Sequence, residues 1–63
     1  MNMSAYIYYC LGSVRGEGQA RLCKCSALNK RDALRQFREA EVYAGGLPVR
    51  LADIHRAEDQ KTF

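Results

Sequence analysis

Ser4-Ala5-Tyr6-Ile7-Tyr8-Tyr9-Cys10-Leu11 (SAYIYYCL) is the stretch that decides how this chain can fold. As a strand it sets Ala5, Ile7, Tyr9 and Leu11 on one side and Tyr6, Tyr8 and Cys10 on the other, because successive side chains point to opposite faces. Both faces are apolar. Only one amphipathic helix follows, predicted over about Asn29 to Ala44, and one helix roofs one face of a small sheet. The second face, expected to carry Tyr6 and Tyr8, is left to meet water, a second copy or a partner. That points to a binding protein rather than an enzyme.

Sixty-three residues make one domain with a thin core. A chain of this size buries roughly 60% of its unfolded surface and draws about 3 to 5 kcal/mol from a single core, so a partner or a second copy would help it. Ten Lys and Arg against seven Asp and Glu give a net charge of +3. This admits acidic or nucleic-acid partners without the large basic excess that would demand them. Three cysteines, Cys10, Cys23 and Cys25, are an odd number; a secreted disulfide framework would leave one thiol over, and a reducing cytoplasm fits better. No stretch approaches the ~18 to 20 apolar residues of a membrane span, and MNMSAY lacks the charged and long apolar segments of a signal peptide. The whole chain is therefore expected to be the mature protein, in the cytoplasm and away from membranes.

Outward from the first strand, Gly12 to Gly18 (GSVRGEG) reads as a hairpin loop and Gln19 to Ala27 as a second strand. Symmetric closure would set Ile7 opposite Cys23 and Ala5 opposite Cys25 on one face, with Tyr6 opposite Lys24 and Tyr8 opposite Leu22 on the other. Asn29 is a good N-cap, reinforced by Asp32, and Gly45 and Gly46 supply a helix stop with Pro48 beyond. The helical projection groups Ala33, Leu34, Phe37, Ala40 and Ala44 on one stripe, expected to lie on the Ala5, Ile7, Tyr9, Cys23 and Cys25 face. A last strand runs from Val49 to about His55 with a bulge or strand end near Asp53. Residues 57–63 form a polar tail behind a single domain of residues 1–56. A right-handed crossover would place the last strand beside the first, giving an α+β fold: a three-stranded antiparallel sheet, ββαβ in order 2-1-3, with one helix on one face.

Chemistry finds little to use. Cys23-Lys24-Cys25 is too short for a C-x-x-C motif, and its sulfurs sit roughly 6 to 7 Å apart along a strand, too far for an unstrained disulfide. A zinc site from three cysteines and His55 would need Cys10 on the same face as the other two, which the expected register denies; buried cysteines acting as small hydrophobes are the simpler reading. His55, the single histidine, has no nucleophile placed beside it. Gly12, Gly16 and Gly18 lack the Gly-Lys-Ser/Thr of a phosphate loop. No catalytic residue, metal ligand or cofactor is assigned.

Two surfaces remain. Tyr6, Tyr8, Leu22 and Lys24 would interleave aromatics with a cation, suited to a protein hot spot, to stacking on bases, or equally to a homodimer interface. Arg31, Arg35 and Arg38 collect on the solvent side of the helix with Val42 at its end. Pairing such as Arg35 with Glu39 neutralises part of that stripe, so a plain solvated face is its simpler reading.

The run AYIYYCLG, the glycine-rich loop, the polar-apolar second strand, SALNKRDALRQF and GGLPVRLADI together look like the single-sheet class of small phage anti-CRISPR proteins, over roughly Ala5 to Ile54. The likeness is one of pattern and size, not of a diagnostic motif. It implies a phage or prophage origin and binding to a CRISPR surveillance complex so that target DNA cannot engage, with no chemistry performed. Members often set charged side chains against the nucleic-acid channel; the positive net charge here argues against DNA mimicry, which needs a dense acidic surface. The pattern also resembles small archaeal ribosomal proteins, which would turn Arg50 and Arg56 toward RNA. A further likeness is to a partial RNase-H-like antitoxin domain, although the Pro-Gly turn usual there is missing. Those two likenesses imply a nucleic-acid-binding accessory module or an antitoxin instead.

Overall fold

The computed structural model describes residues 5–15 and 17–57. The polar tail beyond Ala57 lies outside the described residues. Strand β1 (Tyr6–Val14) continues past Leu11 through Gly12 and Ser13, and β2 (Arg21–Ala27) returns antiparallel to it. The observed register sets Tyr6 opposite Ala27, Tyr8 opposite Cys25 and Cys10 opposite Cys23. This corrects the symmetric closure expected around Gly12 to Gly18. Because Gly12 stays in the strand, the turn begins only at Arg15, in left-handed backbone at φ 58°, and the pairing slides by an odd number of residues. An odd slide exchanges the two faces of one strand against its neighbour. Cys23 and Cys25 therefore join Tyr8 and Cys10, not Ile7 and Ala5.

Helix α1 (Lys30–Glu39) starts as its sequence requires. Asn29 is the N-cap, its Oδ1 accepting from the Asp32 amide at 2.8 Å, while Asp32 Oδ2 accepts from the Leu28 amide at 3.2 Å. The first bond satisfies a backbone donor that a helix start leaves without a partner, and the second ties the residue before the cap to the first turn. The helix ends five residues before the predicted Ala44. Glu41 takes a left-handed φ of 61°, its amide donates to the Arg38 carbonyl, and the chain turns into β3 (Val42–Ala44). Val42, expected at the end of the solvent-side arginine stripe, is buried, whereas Ala40 is exposed and Ala44 lies beyond the helix.

Gly45 and Gly46, both at positive φ, form the two-residue turn between β3 and β4 (Leu47–Pro48) rather than a helix stop. A Gly-Gly pair suits such a turn because both positions need left-handed backbone. The expected last strand is interrupted: Leu51–Asp53 form a 3-10 turn, and only β5 (His55–Arg56) pairs. Asp53 closes that turn by accepting from the Arg50 amide at 2.9 Å. The result is a small α+β fold with one helix and an antiparallel five-stranded sheet in the order β2-β1-β3-β4, β5 pairing with β1. The expected three-stranded ββαβ sheet in order 2-1-3 is thereby corrected: β1 has β2 on one side and both β5 and β3 on the other, and β4 extends the sheet beyond β3.

The helix covers the Tyr8 and Cys10 face, the opposite of the face expected. Tyr8, Cys10, Ala27, Ala33, Phe37, Val42, Val49 and Ile54 form the core, with Tyr6, Cys23, Cys25 and Leu34 packed against it. Small residues make this possible. Cys10, Gly12 and Ala27 leave room for Phe37 and for the close approach of β3, whose Tyr43 carbonyl lies over Gly12.

Candidate functional site

The sheet face without a helix is built from alternate residues. From β1 it takes Ile7, Tyr9, Leu11 and Ser13; from β2, Leu22, Lys24 and Ser26; from β3, Tyr43; and from β5, His55. Ile7 is 47% exposed, Leu11 65% and Leu22 52%, the largest apolar exposure on any one face of the sheet. Tyr9 lies half-buried among them, and its ring stands 5.5 Å from that of His55, tilted by 34°. Ile7, Tyr9, Leu22, Lys24 and Ala57 line a shallow hollow of about 310 Å³. Lys24 is the full positive charge of this face, and no carboxylate stands at any of its paired positions.

The residues predicted to act together are thereby divided. Leu22 and Lys24 are exposed on the open face. Tyr8 is buried in the core, and Tyr6 lies half-buried on the helix side with the Arg56 guanidinium 4.5 Å over its ring. Tyr8, buried in the core, has no surface to offer the dimer contact expected of Tyr6 and Tyr8, and Tyr6 keeps only a partly exposed ring beneath Arg56. Ile7, Tyr9 and Leu11 replace the tyrosines as the apolar part of the site. Their exposure follows from the odd register, for which β1 alone carries no signal.

The arginine stripe is present but unequal. Arg35 bridges Asp32 at 2.7 Å and Glu39 at 3.2 Å, the second being the i,i+4 pair expected. Its guanidinium, with help from the Leu28 amide, holds the Asp32 carboxyl below its ordinary range. Arg38 donates from Nε to the Val49 carbonyl at 2.9 Å and so ties α1 to the segment after β4. Charge reversal there would disturb the fold, contrary to the expectation that the whole stripe only meets solvent. Arg31 is exposed and makes no ion pair among the described residues. Arg31, Leu34, Arg35 and Arg38 border a hollow of about 420 Å³ on the outer side of the helix.

The thiols also regroup. Cys10, Cys23 and Cys25 share the helix-covered face, correcting the expectation that Cys10 points away from the other two. Burial, with Cys23, Asp53 and Cys25 nearby, pushes the Cys10 thiol up to about 11; burial and Asp32 raise Cys25 as well. A buried, neutral thiol is a poor nucleophile. His55 projects from the opposite face of the sheet. Among the described residues no group of three His, Cys, Asp or Glu side chains is placed to hold a metal ion, and no helix is long and apolar enough to cross a membrane.

No protein-family model matches the chain, and no curated protein or solved structure matches it.

Proposed function

We propose that the chain is a non-enzymatic binding module whose contact surface is the helix-free face of the sheet, turned toward a host protein or ribonucleoprotein. One observation carries this reading: Ile7, Leu11 and Leu22 stand about half exposed or more, side by side, around a half-buried tyrosine. Contiguous apolar exposure of that kind marks contact sites in small proteins. The separation of the three thiols from His55, which lies on the other face of the sheet, supports a role without nucleophilic chemistry. The resemblance to phage inhibitors adds a narrower version, in which the partner is a nucleic-acid-handling complex such as a CRISPR surveillance complex. Exposed Lys24 then supplies the cation of this face that would approach acidic side chains or phosphates, while Arg31 and Arg35 lie on the helix, across the sheet from it.

Capture from a bacterial lysate tests the reading when wild type is compared with Leu11→Glu, which puts a charge at the most exposed apolar position of the face. The expected outcome is a co-eluting complex lost in the variant, with the variant's circular dichroism unchanged. Equal recovery by both proteins would remove the open face from the contact. Washing at rising salt separates the partner classes, since phosphate contacts weaken steeply while an apolar protein contact changes little.

A further inference from the structure

We propose that the outer edge of β2 is a strand-docking site, taking an extended segment of a protein partner that alternates carboxylate and apolar side chains. This rests on the reading of the chain as a binding module and specifies how the partner is held.

The edge follows from hydrogen-bond parity. Beyond the Ser13–Tyr43 pair, the Arg15 amide donates to the Glu41 carbonyl, so the odd-numbered residues of β1 turn their amides and carbonyls toward β3. The even-numbered ones then face β2, where they meet Arg21, Cys23, Cys25 and Ala27. In an antiparallel ladder a residue turns both of its backbone groups to the same side. Leu22, Lys24 and Ser26 must therefore present theirs outward, from the strand at the end of the sheet path. An independent contact agrees: the Ser26 carbonyl accepts from Gln36 Nε2 of the helix at 2.9 Å. Gln36 thus caps one end of the edge, and among the described residues the open part is Leu22 and Lys24.

Both sides of that open part have space for side chains. On the helix side a cleft of about 430 Å³ is lined by Cys23, Cys25, Gln36 and Phe37 among others; on the other side lies the hollow beside Ile7 and Tyr9. Side chains of an added strand alternate between the two faces of the sheet, so each set would find a recess. The charge of the occupant follows from Lys24, exposed on the open face and paired with no carboxylate among the described residues; the carboxylates of an alternating segment would lie on that side and its apolar side chains in the cleft on the helix side. A second copy is the poorer occupant. A second copy would bring its own Lys24 and a net charge of +3 to an edge that needs a carboxylate, a like-charge approach that disfavours the pair. Nucleic acid has no peptide backbone with which to continue the ladder.

The test is an NMR titration of isotope-labelled protein with a short capped peptide of alternating valine and glutamate. Its control is the same peptide with every amide N-methylated, which keeps side chains and charge but removes the backbone donors. We expect shifts centred on the Leu22 and Lys24 amides and slower hydrogen exchange at both. The methylated peptide should not reproduce them, and Lys24→Glu should bind at least about tenfold more weakly, since like charges in contact cost more than the ~1.4 kcal/mol of one decade. No change at these amides at millimolar peptide would overturn the proposal, as would equal binding of the methylated peptide, the same shifts with a single-stranded oligonucleotide, or protection that grows with protein concentration alone. A captured partner lost with Leu11→Glu but kept with Lys24→Glu would leave the binding module standing and remove the edge from it.

Discussion

Gly12→Ala should unfold much of the stability of this domain although it adds one methyl group. A Cβ at position 12 would stand 2.5 Å from the Tyr43 carbonyl oxygen and 3.2 Å from Val42 Cγ1. Carbon-oxygen contacts rest at about 3.3 to 3.6 Å, so β3 would have to retreat by roughly 1 Å. That retreat strains the Ser13–Tyr43 and Val14–Val42 pairing and the Arg15 amide bond to Glu41, and it loosens Val42 in the core. Overpacking of this kind costs about 1 to 3 kcal/mol, and each weakened hydrogen bond adds about 1 kcal/mol. Against this, alanine restricts the unfolded chain and returns about 0.4 to 1 kcal/mol. A net loss near 2 kcal/mol is about half of what a core this small supplies, and it should lower the melting temperature by roughly 8 to 16 °C. Urea and thermal unfolding followed by circular dichroism measure it. Gly18→Ala is the control: nothing lies within 4 Å of its Cβ, so it should cost only the left-handed backbone strain of about 1 to 2 kcal/mol and leave β3 in place. A Gly12→Ala midpoint equal to or above wild type would refute the close approach of β3 to β1.

Asn29→Ala removes the acceptor for the Asp32 amide and should cost about 1 kcal/mol in urea unfolding; no loss would mean that the helix start is held by packing alone. Asp32, whose carboxyl is held low chiefly by Arg35 and then by the Leu28 amide, contributes stability above the unfolded carboxyl value near 4 that is lost as pH falls through the lower folded value. Asp32→Asn should therefore flatten the stability curve below about pH 4, and an unaltered acid limb would contradict the contact. A thiol reagent near neutral pH should label Cys23 and Cys25 well before Cys10, which is fully buried and raised to about 11. Equally fast labelling of all three would place Cys10 outside the core.

Much of the fold was legible where a residue has a local job. Asn29 caps the helix because its side chain is the right length to accept from the first turn, and Arg35 meets Glu39 because four residues is about one helical turn. The central place of β1 followed from apolar residues on both of its faces. The end of the helix differs from the expected one because Ala40 and Ala44 extend the helical apolar stripe, yet Val42-Tyr43 is strand-prone and Gly45-Gly46 is a two-residue hairpin signal. Reading that pair as a turn would have found β3 and β4. The register was beyond local reading. It depends on Gly12 staying in the strand beneath Tyr43, a contact between residues thirty-one positions apart, and the assignment of every side chain to a face depends on it.

The odd register also explains why the open face is more than leftover surface. A helix on the Ile7, Leu11 and Leu22 face would have covered larger aliphatic side chains than Cys10, Cys23, Cys25 and Ala27 offer. Full burial of a large aliphatic side chain is worth about 1.5 to 3 kcal/mol, so three of them left about half exposed forgo roughly 3 kcal/mol in all. That sum is comparable with the whole 3 to 5 kcal/mol expected of a core this size. The small residues beneath α1 let Phe37 and β3 come close, which keeps the domain folded without drawing on the aliphatic face. What the fold forgoes there is available to whatever covers Ile7, Leu11 and Leu22. Extension of the sheet at Leu22 and Lys24 would bring a partner's side chains onto that same surface.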